Sequence, residues 1–336
     1  MQIYKYYATI TKIIQIFIYT IQYDVNMNRN KFEQEKYDEL RRSICIEFRF
    51  SKKPSIHKIL TEAKGMVDGN DVYIDTIMDW IDAKTCSGDI QGKIKIVLGK
   101  EYFKGIEPFF NKIILDIDYQ NSQNQYITAM YNTTVHKIVE GKIDTVEIKI
   151  IIRGNYRNLK YEIPRYLTHE ILHAYENWNR TLKTGKTIND AARELGYFGN
   201  NKTRQIANQT QNYVMSVLGH LYYACTSFER NAYTAQLKQT LKDYKKTIHN
   251  ADDAMSTIQY TDIYQGFIML GNQLNAIIAN KEQCKEDIED WYESTFDKTD
   301  LSYNKILKRL RNLYNKTWLR MRKAIASYVR YLYEQQ

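Results

Sequence analysis

Proline is scarce in this sequence, with three in 336 residues, and there are only 14 glycines. Long flexible linkers cannot be built from so few, and helices are seldom interrupted. Cysteine is equally sparse. Cys45, Cys86, Cys225 and Cys284 are widely spaced and form no C-x-x-C pair. That excludes a zinc ribbon and a dense disulfide framework, and leaves free thiols as the expectation. Long apolar runs are also lacking. The longest candidate, between Lys12 and Asp24, is broken by Gln15 and Gln22, too short and too polar for a membrane span. Histidine occurs six times, so any regular spacing of two histidines carries information.

What is present is enough apolar residue, 43% of the chain, to bury one large core or two smaller ones. The net charge of +9 is concentrated in one place. From Leu301 onward nine Lys/Arg face a single acid, Glu334, so that segment carries +8 and the rest of the chain +1. At the other end Lys5 and Lys12 precede apolar residues without a small-x-small cleavage pattern. The expectation is therefore a cytoplasmic protein. The alternatives are export or membrane anchoring through residues 1–23, or translation starting at Met27.

The periodicities divide the chain. A charged helical pattern runs from Asn30 to Ser43, and two further helical patterns cover Pro54–Val67 and Tyr73–Lys84. Gly92–Gly99, Lys112–Tyr119 and Thr145–Arg153 are Ile/Val-rich and alternate with polar residues, which predicts strands of a small sheet with one wet face. Tyr126–Val139 is a candidate for another. From Pro164 onward everything reads as helix, with turn signals near Gly196–Asn201 and Asn250. Strands followed by helices, rather than alternation, predict an α+β fold: a small mixed or antiparallel sheet, a mainly helical core, then C-terminal helices. The corresponding divisions are an apolar extension over 1–26, an α+β region over 27–160, a helical region over 161–250 and a C-terminal helical region over 251–336.

Within the helical region stands L-T-H-E-I-L-H-A-Y-E, Leu167 to Glu176. His169 and His173 are four apart, so both imidazoles leave one helix face a turn from each other. Two ring nitrogens so placed can share one Zn2+, and Glu170, about 100° round the helix, can take a proton from a metal-bound water. By composition such a match arises by chance in about one such chain in a hundred. The competing reading is an ordinary helix with an incidental histidine pair.

H-E-I-L-H on a helix that follows a strand resembles the zincin metallopeptidases, over roughly Thr145 to Tyr244. The metzincin branch needs glycine and histidine where this chain has Glu176 and Asn179, which leaves the gluzincin type. That resemblance implies a zinc-dependent peptidase with a third ligand from a downstream glutamate. The candidates are Glu229, in T-S-F-E-R-N-A-Y-T-A-Q, whose following Ala232 and Ala235 would let two helices approach, and Glu194. Glu176, on the same helix as the histidines, cannot easily curl round the same ion. Against Glu229, Thr226-x-x-Glu229 also reads as a capping box. The acidic residue that thermolysin-like enzymes place four after the ligand glutamate is Tyr233 here, so the histidines must be supported differently. Tyr233 is the candidate oxyanion donor, with His220, Tyr222 and Tyr223 as further choices. His57, His136 and His249 lack any partner spacing. The implied substrate is a peptide or protein, which could add along Thr145–Arg153 as an edge strand.

Lys281–Asp300 is acidic and the segment after it is basic. The basic segment carries an apolar seam of Leu307, Leu310, Tyr314, Trp318, Met321, Ile325, Tyr328 and Leu332. A helical hairpin with acids answering bases is the expectation. The alternative is a basic helix that docks on an anionic membrane, a nucleic acid or a helical protein partner through 301–336, although no nucleic-acid motif accompanies it. The alternative for the whole chain is a helical interaction or assembly protein, with a structural zinc site or an incidental H-E-x-x-H.

Overall fold

The computed structural model describes residues 30–45, 92–99, 109–120, 126–132, 138–153, 159–187, 190 and 206–334. It has an α+β architecture. A helix, α1, covers 30–45. Five strands follow: β1 (Gly92–Gly99), β2 (Phe110–Gln120), β3 (Tyr126–Tyr131), β4 (Ile138–Val139) and β5 (Lys142–Arg153). The helices after them are α2 (Leu159–Thr184), α3 (Tyr213–Ala224), α4 (Ser227–Asp243), α5 (Ala251–Gln259), α6 (Asp262–Ala279), α7 (Lys285–Phe296) and α8 (Tyr303–Glu334). No helix among the described residues is long and apolar enough to cross a membrane. The helical patterns of 54–67 and 73–84, Cys86 and the turn near 196–201 lie outside the described residues. The thiols of Cys45, Cys225 and Cys284 are free.

The sheet is mixed, in the order β1-β2-β5-β3, with β4 paired to β5. β2 and β5 are parallel, while β1–β2, β3–β5 and β4–β5 are antiparallel. Glu140 and Gly141 both have positive φ, the conformation that a two-residue hairpin requires. Trp178 of α2 donates to the Gly141 carbonyl at 2.7 Å and so ties that hairpin to the helix. β5 buries Val146, Ile148, Ile150 and Ile152 on one face, and Arg153 on the other pairs with Asp118 at 3.1 Å. One face is thus core and one wet, as the alternation predicts. The expectation that Thr145–Arg153 forms an edge is overturned, because β5 lies between β2 and β3. Alternation reports which face is buried, not how many neighbours a strand has. The edge beside α2 is β3.

Two cores result. In the first, Ile163, Leu167, Ile171 and Ala174 of α2 cover the sheet; their spacing of four, four and three keeps them on one helix face. The second is built by α1 and the helices after α2, around Trp291, Tyr314 and Trp318. The C-terminal seam is buried there from Leu307 to Tyr328, with Leu332 half-buried. α2 starts at Leu159, so Pro164 lies inside it and not in its first turn. Asn250, a predicted turn residue, caps α5 by accepting from the Asp252 and Asp253 amides.

Candidate metal centre

α2 is sandwiched. His169 and His173 project about 200° from Leu167 and Ile171 at 100° per residue, so one face meets the sheet and the other meets α4. α4 is capped by Thr226, whose hydroxyl accepts from the Glu229 amide at 3.4 Å. Half of the expected capping box is therefore real. The Glu229 side chain does not complete it and turns toward α2 instead. Glu229, Tyr233, Gln236 and Thr240, at intervals of four, three and four, make one stripe along α4. All but Tyr233 are buried, so this helix packs through polar groups and shows little hydrophobic periodicity. Ala232, fully buried, permits the close approach.

At the contact, the two Nε2 atoms of His169 and His173 lie 2.9 Å apart. The Glu229 carboxylate faces both, Oε2 at 3.3 Å from His169 Nε2 and Oε1 at 3.5 Å from His173 Nε2. Glu170 Oε1 is 4.0 Å from His169 Nε2, and its Oε2 accepts the Tyr131 backbone amide at 2.6 Å. His169, Glu170 and His173 form a buried group able to hold a metal ion. Glu229 lies nearer to both histidines than Glu170 does. Ligand atoms held at 2.0–2.1 Å by a tetrahedral ion are about 3.3 Å apart, close to the two histidine–Glu229 distances. A shared proton satisfies the two buried imidazole nitrogens at 2.9 Å, and a cation bound to both and to Glu229 would replace that proton, so the donor set is compatible with a metal.

The electrostatics follow from that crowding. Burial alone would raise the Glu229 carboxyl, but hydrogen bonds and charge from His169 and His173 hold it well below the usual carboxylate range. Burial opposes the charged His169 imidazole, yet Glu229 and Glu170 together raise its pKa. Gln236 Oε1 accepts from His169 Nδ1 at 2.9 Å, so Nδ1 carries a proton and, in the neutral ring, Nε2 presents a lone pair to the cluster. His173 is held differently: its ring stacks on Phe228 at 3.7 Å, and its Nδ1 is buried with no hydrogen-bond partner. Tyr131, whose hydroxyl bonds Asn177, is pushed up to about 12 by burial.

The cluster opens into a cleft of about 1080 Å³, walled by the end of β3, α2, α3, α4 and α6. Tyr233 lines it, its ring 5.1 Å from that of His169. His220 and Tyr223 line it from α3, whereas Tyr222 packs on Trp291 and Phe296. Glu176 is not at the cluster; it accepts from Asn231 Nδ2 at 2.6 Å. Glu194, His57 and His136 lie outside the described residues, and His249 is exposed. The sequence reading missed Gln236, Phe228 and the Tyr131 amide. Gln236 had a signal, being two helical turns after Glu229 and so on its face. The amide had none, since it depends on where β3 ends in space. Comparison of the chain with protein-family models, with curated proteins and with solved structures gave no match.

Proposed function

We propose that this chain is a zinc-dependent peptidase of the gluzincin type. The observation that carries the reading is the convergence of His169, His173 and Glu229 beside Glu170, at the floor of an open cleft. His169, His173 and Glu229 would hold the zinc. When bound, zinc supplies Lewis acidity and brings the pKa of a coordinated water toward about 7.

The chain's own groups have defined tasks in this reading. Glu170 keeps one oxygen on the Tyr131 amide and turns the other toward the cluster. That oxygen takes a proton from a water lodged there and hands it to the leaving amine. Tyr233 stands on the cleft side of His169 and is the donor toward a developing oxyanion. Gln236 keeps the His169 lone pair aimed inward. The substrate is a peptide or protein segment entering the cleft beside β3.

A second reading has its own observation. Glu170 could close a fourth position, since it lies 4.0 Å from His169 Nε2, and a closed four-ligand set is the mark of structural zinc. One variant separates the two. Glu170→Gln should retain the metal and the fold but lose hydrolysis of a quenched-fluorescence peptide pool by at least about 100-fold. Unchanged hydrolysis, or loss of the metal with the activity, would overturn the assignment of Glu170 as base.

A further inference from the structure

Among the described residues, the acids of 281–300, in and beside α7, do not form ion pairs with the bases of α8. Glu282 takes the Tyr303 hydroxyl at 2.8 Å and Glu289 the Tyr303 amide at 3.3 Å. Asp287 takes the Asn212 amide group at 2.6 Å, and Asp300 the Tyr292 hydroxyl at 3.1 Å. The two helices pack against each other, but not through charge pairs. Of the nine bases after Leu301, Arg322 faces Glu39 at 3.8 Å, and Arg309 faces the Tyr292 hydroxyl.

Six others, Lys305, Lys308, Arg311, Lys316, Arg320 and Lys323, are exposed, and none forms an ion pair with an acid among the described residues. At 100° per residue, Lys305, Lys316, Arg320 and Lys323 fall within about 60° of one another, with Lys308 beside them. From Lys305 to Lys323 the row is about 27 Å long. Like charges gathered in a row without counter-charge destabilise the folded chain, and an external polyanion relieves that repulsion.

We propose that the outward face of α8 binds the phosphate backbone of nucleic acid. A linear row of cations, with spacings of three, eight, four and three residues from Lys305 to Lys323, suits a linear array of phosphates better than a single anion. Asn312 and Asn315 lie between them on the exposed side and add neutral donors of the kind that bond phosphate and sugar oxygens. A lipid surface is the poorer fit. Among the described side chains, the apolar residues of α8 are turned into the core and Leu319, at 38%, is the large hydrophobic one left exposed, whereas a helix lying in a membrane interface buries an apolar face in lipid. The contact is made through backbone charge, so it is independent of base sequence and of the metal centre.

The test is fluorescence anisotropy of a short labelled DNA duplex, and of its single strand, with the full chain. Affinity should fall by at least about 100-fold between about 50 and about 200 mM salt. Lys308→Glu/Lys316→Glu/Lys323→Glu should weaken binding by at least about 30-fold, and the corresponding Lys→Arg triple should retain it. Three results would overturn the proposal: no binding at low salt, binding that the reversal leaves unchanged, or tighter binding through the same residues to phosphatidylserine-containing vesicles than to the duplex.

Discussion

Gln236 lies 2.9 Å from Nδ1 of His169 and occupies the same face of α4 as Glu229, two turns away. One helix therefore presents a carboxylate to the open side of the imidazole and an amide oxygen to its back. The amide is neutral, so it orients the ring without adding negative charge to a cluster that already holds Glu229 and Glu170.

Removing that support should be felt at the metal. Gln236→Leu keeps the volume but leaves His169 Nδ1–H buried without an acceptor, at a cost of about 1–3 kcal/mol. Metal affinity should fall about 10- to 100-fold, whereas Gln236→Glu, which keeps an acceptor, should hold the metal at least as tightly. Competition against a chromophoric chelator measures both. Equal affinity for the Leu variant would show that His169 is oriented by something else.

The metal should also stabilise the fold. The apposed nitrogens of His169 and His173 form a pair that a cation relieves, so the folded chain should take up one divalent ion. With the free ion about 1,000-fold above its dissociation constant, the gain is about 4 kcal/mol. Calorimetric melting with and without chelator should show a shift for the wild type and none for His169→Ala/His173→Ala. A wild-type melt indifferent to chelator would exclude a metal at this centre.

The sequence made the donor set legible to the extent that it was local. His169, Glu170 and His173 could be read because four-residue spacing on a helix fixes their direction. Glu229 could be proposed because small residues follow it, but the same residues also read as a capping box. The structure shows that the backbone half of that box and the turn of Glu229 toward the histidines coexist. The strands were legible from alternation, except for the order that places β5 in the middle. Tyr131, 39 residues from Glu170, could not be found, because no local rule sets the meeting of a strand end with a helix. The acid–base hairpin failed for a related reason: opposite charge along the chain does not decide which side chains face each other once Trp291 and Ile306 are buried.

Glu176 gives a prediction in pH. Burial pushes its carboxyl up from 4.5 to about 7, despite the hydrogen bond from Asn231. Between those values the folded chain keeps a proton that the unfolded chain has lost, so stability falls as pH rises through the window and levels off above it. Glu176→Gln keeps an oxygen for Asn231 and has no proton to lose. In metal-free protein the variant should gain on the wild type by about 3 kcal/mol between pH 4.5 and pH 8. Urea titrations at the two ends of the range measure this. A difference that stays constant with pH would show that Glu176 titrates normally in the folded chain.

Two glycines of α6 should respond to alanine with opposite signs. At Gly271 an added Cβ would meet the Tyr314 hydroxyl at 2.5 Å and the Phe32 ring at 2.6 Å. Neither can easily give way. The Tyr314 hydroxyl donates to the Phe267 carbonyl at 3.1 Å, its ring stacks on Phe267 at 4.6 Å, and moving it would leave a buried hydroxyl unpaired. Gly271→Ala should therefore destabilise the chain by about 1–3 kcal/mol, against the gain of up to about 1 kcal/mol that alanine brings to a helix interior. At Gly266, five residues earlier and on the cleft wall, an added Cβ meets nothing within 4 Å. The propensity gain then stands alone, and Gly266→Ala should stabilise by up to about 1 kcal/mol without altering metal content. Chemical denaturation of the two variants in parallel decides it: a Gly271→Ala protein as stable as Gly266→Ala would mean that α6 does not pack this closely on Tyr314 and Phe32.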